Sequence, residues 1–113
     1  MHELAITESI LAIVLQKAGE AKAGKVTSVD LLVGRLTGFV PECIEQQFAI
    51  LSHGTMAQGA RLVFRQPLAR LHCRKCDMEY SAESFDLKCP GCQSMQVDVL
   101  SGSELYVESM EVE

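Results

Sequence analysis

Apolar positions along this chain change period from segment to segment, and each change marks an element. Leu4, Ile6, Ile10, Leu11, Ile13, Val14 and Leu15 recur at three- and four-residue steps, with Glu3 and Glu8 near the positive end of the helix they predict. That helix runs to about Ala18, where Gly19 and Gly24 bracket a loop rich in Lys and Ala. From Val26 to Val33 the period falls to two: Val29, Leu31 and Val33 share one face, and Ser28 and Asp30 point the other way. This predicts a strand, broken by Gly34 and Gly38. Pro41 suits the first turn of a second helix, with Glu42 and Glu45 near its positive end. Ile44, Phe48 and Leu51 make its apolar stripe, and Gly54 ends it. A second strand is predicted from Ala60 to Arg65, with Leu62 and Phe64 on one face, before a boundary at Gln66-Pro67.

Beyond that boundary the pattern shortens. Residues 69–100 alternate in brief pieces such as Met78-Glu79-Tyr80, and Ser101-Gly102-Ser103 reads as a second, flexible junction. A last strand is expected over Glu104 to Val112. Leu105 and Val107 share one face and Met110 and Val112 the other, so its phase implies a bulge or a two-sided strand. The layout predicts an α+β fold: two helices packed on a small three-stranded sheet, with an inserted four-cysteine zinc-ribbon domain. The α/β domain takes residues 1–67 and 103–113, the insertion takes 68–102, and the two junctions act as hinges.

Composition narrows the classes. With 113 residues, 48% apolar and 22% charged, the chain is globular and has room for one ordinary domain, or a small one with an appendage. Fifteen acidic against ten basic residues leave a net charge of −5, which disfavours nucleic acid and anionic membrane as partners. No apolar run approaches the roughly 20 residues of a membrane span. Met1-His2-Glu3-Leu4 puts no basic segment ahead of an apolar one, so a cytoplasmic protein is expected. Charge is unevenly spread. Residues 61–76 carry Arg61, Arg65, Arg70, Arg74 and Lys75 with no acid, whereas residues 77–113 carry nine acids and only Lys88. A solvated strand face is the simpler reading of the basic run, and a surface docking an acidic protein the functional one.

The cysteines carry the clearest chemistry. Cys73-Arg74-Lys75-Cys76 and Cys89-Pro90-Gly91-Cys92 are two C-x2-C pairs separated by 12 residues. Such spacing places four sulfurs on facing knuckles, and Zn(II) prefers four ligands at tetrahedral corners. Four reduced thiols packed as a small core are the weaker reading, because a piece this short lacks a sufficient core without metal. An iron–sulfur cluster or a redox pair ranks lower too. Four thiolates leave no open position for water or substrate, so the metal is structural. The fifth cysteine, Cys43, reads as a core residue.

At the amino terminus, His2 offers its imidazole and its backbone amide beside the free amine of Met1, and the Glu3 amide completes a plane. Square-planar nitrogen coordination suits Ni(II) or Cu(II) and suits Zn(II) poorly. A lone histidine at position 2 is more often only solvated, and its combination with the rest of the chain lifts it.

With Met1-His2-Glu3 in place, the sequence resembles the hydrogenase nickel-incorporation proteins of the HypA/HybF type over essentially its whole length. The resemblance continues through Val33-Gly34-Arg35-Leu36-Thr37-Gly38, Pro41-Glu42, Gly59-Ala60-Arg61-Leu62 and both cysteine pairs. It closes on Ser101-Gly102-Ser103-Glu104-Leu105 and Ser109-Met110-Glu111-Val112-Glu113. It implies a nickel metallochaperone, not an enzyme, holding Ni(II) as cargo through Met1, His2 and Glu3 and structural Zn(II) through Cys73, Cys76, Cys89 and Cys92. The partners it implies are a hydrogenase maturation GTPase and the large-subunit precursor of nickel–iron hydrogenase, with urease as a further recipient and a homodimer left open. Some relatives carry histidines beside the zinc cysteines, whereas here only His72 stands there, ahead of Cys73. His53, beside Gly54, reads as a helix-end residue. The alternative function is a zinc-ribbon nucleic-acid-binding or protein-docking module. An enzyme ranks last, because no nucleophile–base pair is legible around Cys43.

Overall fold

The structure is a computed structural model and describes residues 3–113. In chain order its elements are α1 (Glu3–Glu20), β1 (Val26–Val33), a 3-10 turn (Arg35–Thr37), α2 (Pro41–Leu51), β2 (Arg61–Arg65), β3 (Ala69–Cys73), β4 (Glu79–Ala82), β5 (Val97–Ser101) and β6 (Leu105–Val112). They fall into two compact units, one of Met1–Leu32, Gly38–Arg65 and Tyr106–Glu113, the other of Val33–Thr37 and Gln66–Leu105.

The first unit is α+β. Its sheet has the order β2-β1-β6, so β1 is central. β2 runs parallel to β1 with Val29 opposite Leu62 and Leu31 opposite Phe64. Glu113 exchanges backbone hydrogen bonds with Lys25, and Thr27 donates to the Glu111 carbonyl, so β6 lies along β1 in the opposite sense. As the central strand, β1 buries Val26, Val29, Leu31, Leu32 and Val33, on both of its faces. α1 and α2 pack on each other. Ile10, Val14, Ala18, Ile44 and Phe48 are their buried apolar residues.

Two details of this unit depart from the sequence pattern. α1 buries Glu3, Thr7, Ile10, Val14 and Ala18, while Leu4 and Ile13 are exposed. A helix apolar on most sides does not declare its inner face, and packing chose the stripe containing Thr7. The Thr7 hydroxyl donates to the Glu3 carbonyl at 2.6 Å, with Oε1 of Gln47 on α2 3.4 Å away. Cys43, expected in the core, is only half-buried. β6 has no buried residue, and its half-covered positions, Leu105, Val107 and Met110, fall on both faces.

The second unit is a three-stranded antiparallel sheet of order β4-β3-β5. Ala69, Leu71, Cys73, Tyr80, Ala82 and Cys89 form its core. Arg70 pairs with Ser101 and Leu71 with Val99, so Leu100 is the extra residue of a bulge. Ser101-Gly102-Ser103, expected as a flexible junction, is held by hydrogen bonds instead. The Gly102 amide donates to the Glu104 carboxylate at 2.6 Å, and the Gly102 carbonyl accepts from Leu36 at 2.8 Å. Gly102 has φ +115°, and a Cβ there would lie 2.6 Å from the Ala69 Cα. Close backbone approach, rather than mobility, is what glycine permits here.

Candidate metal centre

Each cysteine pair sits on a tight turn, and the two turns are copies of one another. Cys73 ends β3; its amide donates to the Met78 carbonyl and its carbonyl accepts from Asp77. Cys89 does the same with Ser94 and Gln93. In both turns the residue four beyond the first cysteine is left-handed, Asp77 and Gln93 each at φ 65°. Repeating one local geometry on two facing turns brings the sulfurs together.

All four Sγ atoms lie within 4.8 Å of one another. Cys73 and Cys92 are 3.5 Å apart, and Cys76 and Cys89 3.6 Å. Zinc–sulfur bonds of about 2.3 Å pointing to tetrahedral corners set the sulfurs about 3.8 Å apart, so the group matches a tetrathiolate cage. Gly91 lets the second knuckle close, since a Cβ there would meet the Met78 Sδ at 3.1 Å. Cys73 and Cys89 are buried, Cys92 half-buried and Cys76 exposed. The thiols do not share charge equally. The Cys76 amide, 3.4 Å from the Cys73 sulfur, leads in pulling that thiol down to about 6. Cys76 is pushed up to about 12: the Met78 amide pulls it down, but the bond shared with Cys89 and burial outweigh it. A cluster that already favours one thiolate suits a cation that replaces the remaining protons.

The sequence pattern did not foresee the surroundings of this cluster. His72, next to Cys73, places Nε2 3.1 Å from Asp77 and Nδ1 3.8 Å from Asp98. Tyr80 donates its hydroxyl to the Leu87 carbonyl. The basic run is largely neutralised where it lies: Arg65 meets Glu108, Arg70 meets Glu79 at 3.5 Å and Arg74 meets Asp98 at 3.4 Å. Arg65 reaches Glu108 over the central strand β1, Arg70 pairs from β3 to β4, and Arg74 lies just beyond β3. All three guanidinium side chains are exposed, which matches the simpler of the two readings of that run.

Met1 and His2, two of the three residues expected to hold nickel, lie outside the described residues. The third, Glu3, lies in the first turn of α1 and is only 7% exposed. Its Oε2 accepts the Val40 amide at 3.3 Å. Val40 is the N-cap residue of α2, and no side-chain cap bonds its helix. Glu3, from the other helix, accepts the N-cap residue's own amide, the donor a capping box takes from within. Amide hydrogen bonds, from its own backbone first and Val40 after, hold the Glu3 carboxyl below the usual carboxylate range. Its carboxylate could not be placed from sequence, because its partner stands 37 residues away. His53 is exposed in the turn after α2.

An α+β unit joined to a closed, zinc-ribbon-like thiolate site defines a small metal-binding protein. The family described as hydrogenase/urease nickel incorporation, metallochaperone, HypA, matches residues 1–112, and the chain belongs to it. Hydrogenase maturation factor HypA of Dehalococcoides mccartyi is 41% identical over 113 residues, spanning all of this chain and 95% of its own. Its counterpart in Chlorobaculum tepidum is 41% identical over 113 residues and spans both chains in full. The solution structure of the Ni metallochaperone HypA from Helicobacter pylori shares the fold, with a TM-score of 0.67 and 21% identity over 99% of this chain and 97% of that one. A second HypA solution structure gives 0.72 and 22%, over 100% and 97%. Among the described residues no helix is long and apolar enough to cross a membrane.

Proposed function

We propose that this protein carries Ni(II) as cargo during hydrogenase maturation in the cytoplasm, without catalysing a reaction. Nickel is bound by the Met1 amine, the His2 amide and imidazole and the Glu3 amide, in the domain of residues 1–67 and 103–113. Structural Zn(II) is held by Cys73, Cys76, Cys89 and Cys92 in the domain of residues 68–102. One observation carries the reading: the family match spans residues 1–112, from the Met-His-Glu start through both cysteine pairs. The geometry of the four thiols adds support, since a saturated cage leaves no position for exchangeable cargo. The receiving partners are a maturation GTPase and the nickel–iron hydrogenase large-subunit precursor, with urease as a second recipient. Neutralisation of Arg65, Arg70 and Arg74 by carboxylates favours this reading over a nucleic-acid module.

The test is a nickel titration of tag-free protein, of protein extended ahead of Met1, and of His2→Ala. Extension turns the terminal amine into an amide and removes the anchoring ring of the chelate. Both altered proteins are expected to lose tight nickel binding and keep their zinc. Full affinity in the extended protein overturns the assignment.

A further inference from the structure

The two edges of the sheet in the first unit carry opposite charge. β2 holds Arg61 and Arg65 and no acid; β6 holds Glu108 and Glu111, with Glu113 just beyond, and no base. Among the described residues no strand pairs with the outer edge of β6, and none of its eight residues is buried. Proteins usually blunt such a row of backbone donors and acceptors with charged side chains, lysine above all, or with proline, a short strand or a covering loop. The charges on β6, Glu108 and Glu111, are all acidic. β6 contains neither lysine nor proline. The Glu113 amide is turned toward Lys25, so by two-residue alternation the amides of Val112, Met110 and Glu108 face outward. Tyr106 and Val112, 48% and 40% exposed, offer apolar surface beside them.

Charge says what completes this edge. A cavity of about 220 Å³ opens on the face of the sheet, spanning all three strands and so one strand in from the β6 edge; Asp30, Leu31, Val63, Arg65, Glu108 and Ser109 line it. It holds two carboxylates against one guanidinium. Arg65 is engaged by Glu108 through two bonds of 3.1 and 2.8 Å, and Asp30 has the neutral Ser109 hydroxyl at 2.7 Å. The charge left over is negative, and a basic side chain would balance it. A second copy of β6 would bring Glu108 and Glu111 and no basic side chain, so it would not balance that charge.

We propose that β6 is a docking edge, extended by a strand of a partner protein that is rich in Lys or Arg and seats one basic side chain at Asp30. Backbone pairing supplies the affinity and the Asp30 cavity the selectivity. Nickel has no part in this, so the outcome stands apart from the cargo reading.

Full-length, zinc-loaded protein without nickel is titrated with three labelled peptides and followed by fluorescence anisotropy. One alternates Lys and Val, one alternates Glu and Val, and the third is the Lys–Val peptide N-methylated at alternate amides. The Lys–Val peptide alone is expected to saturate, with a dissociation constant below about 1 mM. It should slow amide exchange over Tyr106–Val112 and lose roughly tenfold in affinity on Asp30→Asn, which keeps the Ser109 bond. Equal binding by the N-methylated peptide means charge attraction without strand pairing, and overturns the proposal. So do unchanged affinity in Asp30→Asn, no saturable binding, or self-association of the chain that competes with the peptide.

Discussion

Glu108 and Arg65 meet through paired, charge-assisted hydrogen bonds, which gives the first unit a pH dependence of known sign. Those bonds, partly offset by burial, hold the Glu108 carboxyl below its ordinary value. A carboxyl lowered in the folded state stabilises the fold fully above its unfolded value of about 4.3, and that stabilisation is lost as pH falls through the lower, folded value. Glu3 acts in the same direction through amide bonds. Urea unfolding followed by circular dichroism reads this unit, because both helices lie in it. The midpoint is expected to fall between about pH 6 and about pH 3, and to fall less in Glu108→Gln. An identical fall in the variant would mean that the exposed pair contributes nothing, as many surface pairs do.

Among elements, the two cysteine knuckles show how local geometry sets a site. Asp is among the residues that visit the left-handed region readily, whereas Gln is not, and Gln93 holds the same φ of 65° as Asp77. A β-branched side chain there adds strain, so Gln93→Val is expected to cost about 1–2 kcal/mol while Gln93→Asn costs little. The measure is the chelator concentration that removes half the zinc: clearly lower for Val, unchanged or higher for Asn. α1 teaches a different lesson. Its apolar residues at 4, 6, 10, 11, 13, 14 and 15 predict a helix and leave its inner face open. Packing against α2 could bury the stripe through Thr7 because the Glu3 carbonyl, one turn back on the same helix, already accepts the hydroxyl proton.

At the scale of the molecule, the second unit is small and its core includes Cys73 and Cys89 themselves. A structural zinc contributes about 10–16 kcal/mol of apparent folding free energy in such small domains. Cys76→Ala is therefore expected to lose zinc and unfold β3, β4 and β5, while the helical signal of the first unit persists. Circular dichroism with zinc quantitation checks this, and a variant that retained a full zinc would refute it. The first unit keeps its own buried residues, among them Ile10, Val14, Leu31, Ile44 and Phe48, none of which touches a metal ligand along the chain.

The sequence by itself determined what depends on neighbours along the chain. Periods of 3.6 and 2 are local, so both helices were legible, and β1 ends at the residues its alternation predicts. The C-x2-C spacing is local too, and each pair makes its own turn, so the meeting of four sulfurs is legible in the spacing alone. Tertiary structure alone decided the rest. The pairing of β1 with β2, the bulge at Leu100, the approach of Gly102 to Ala69 and the bond from Val40 to Glu3 join residues tens of positions apart. So do the bonds that tie Arg65 to Glu108 and Ser109 to Asp30. Such contacts form only where two distant segments bury or pair a common surface, and the pattern of either segment alone does not name the other.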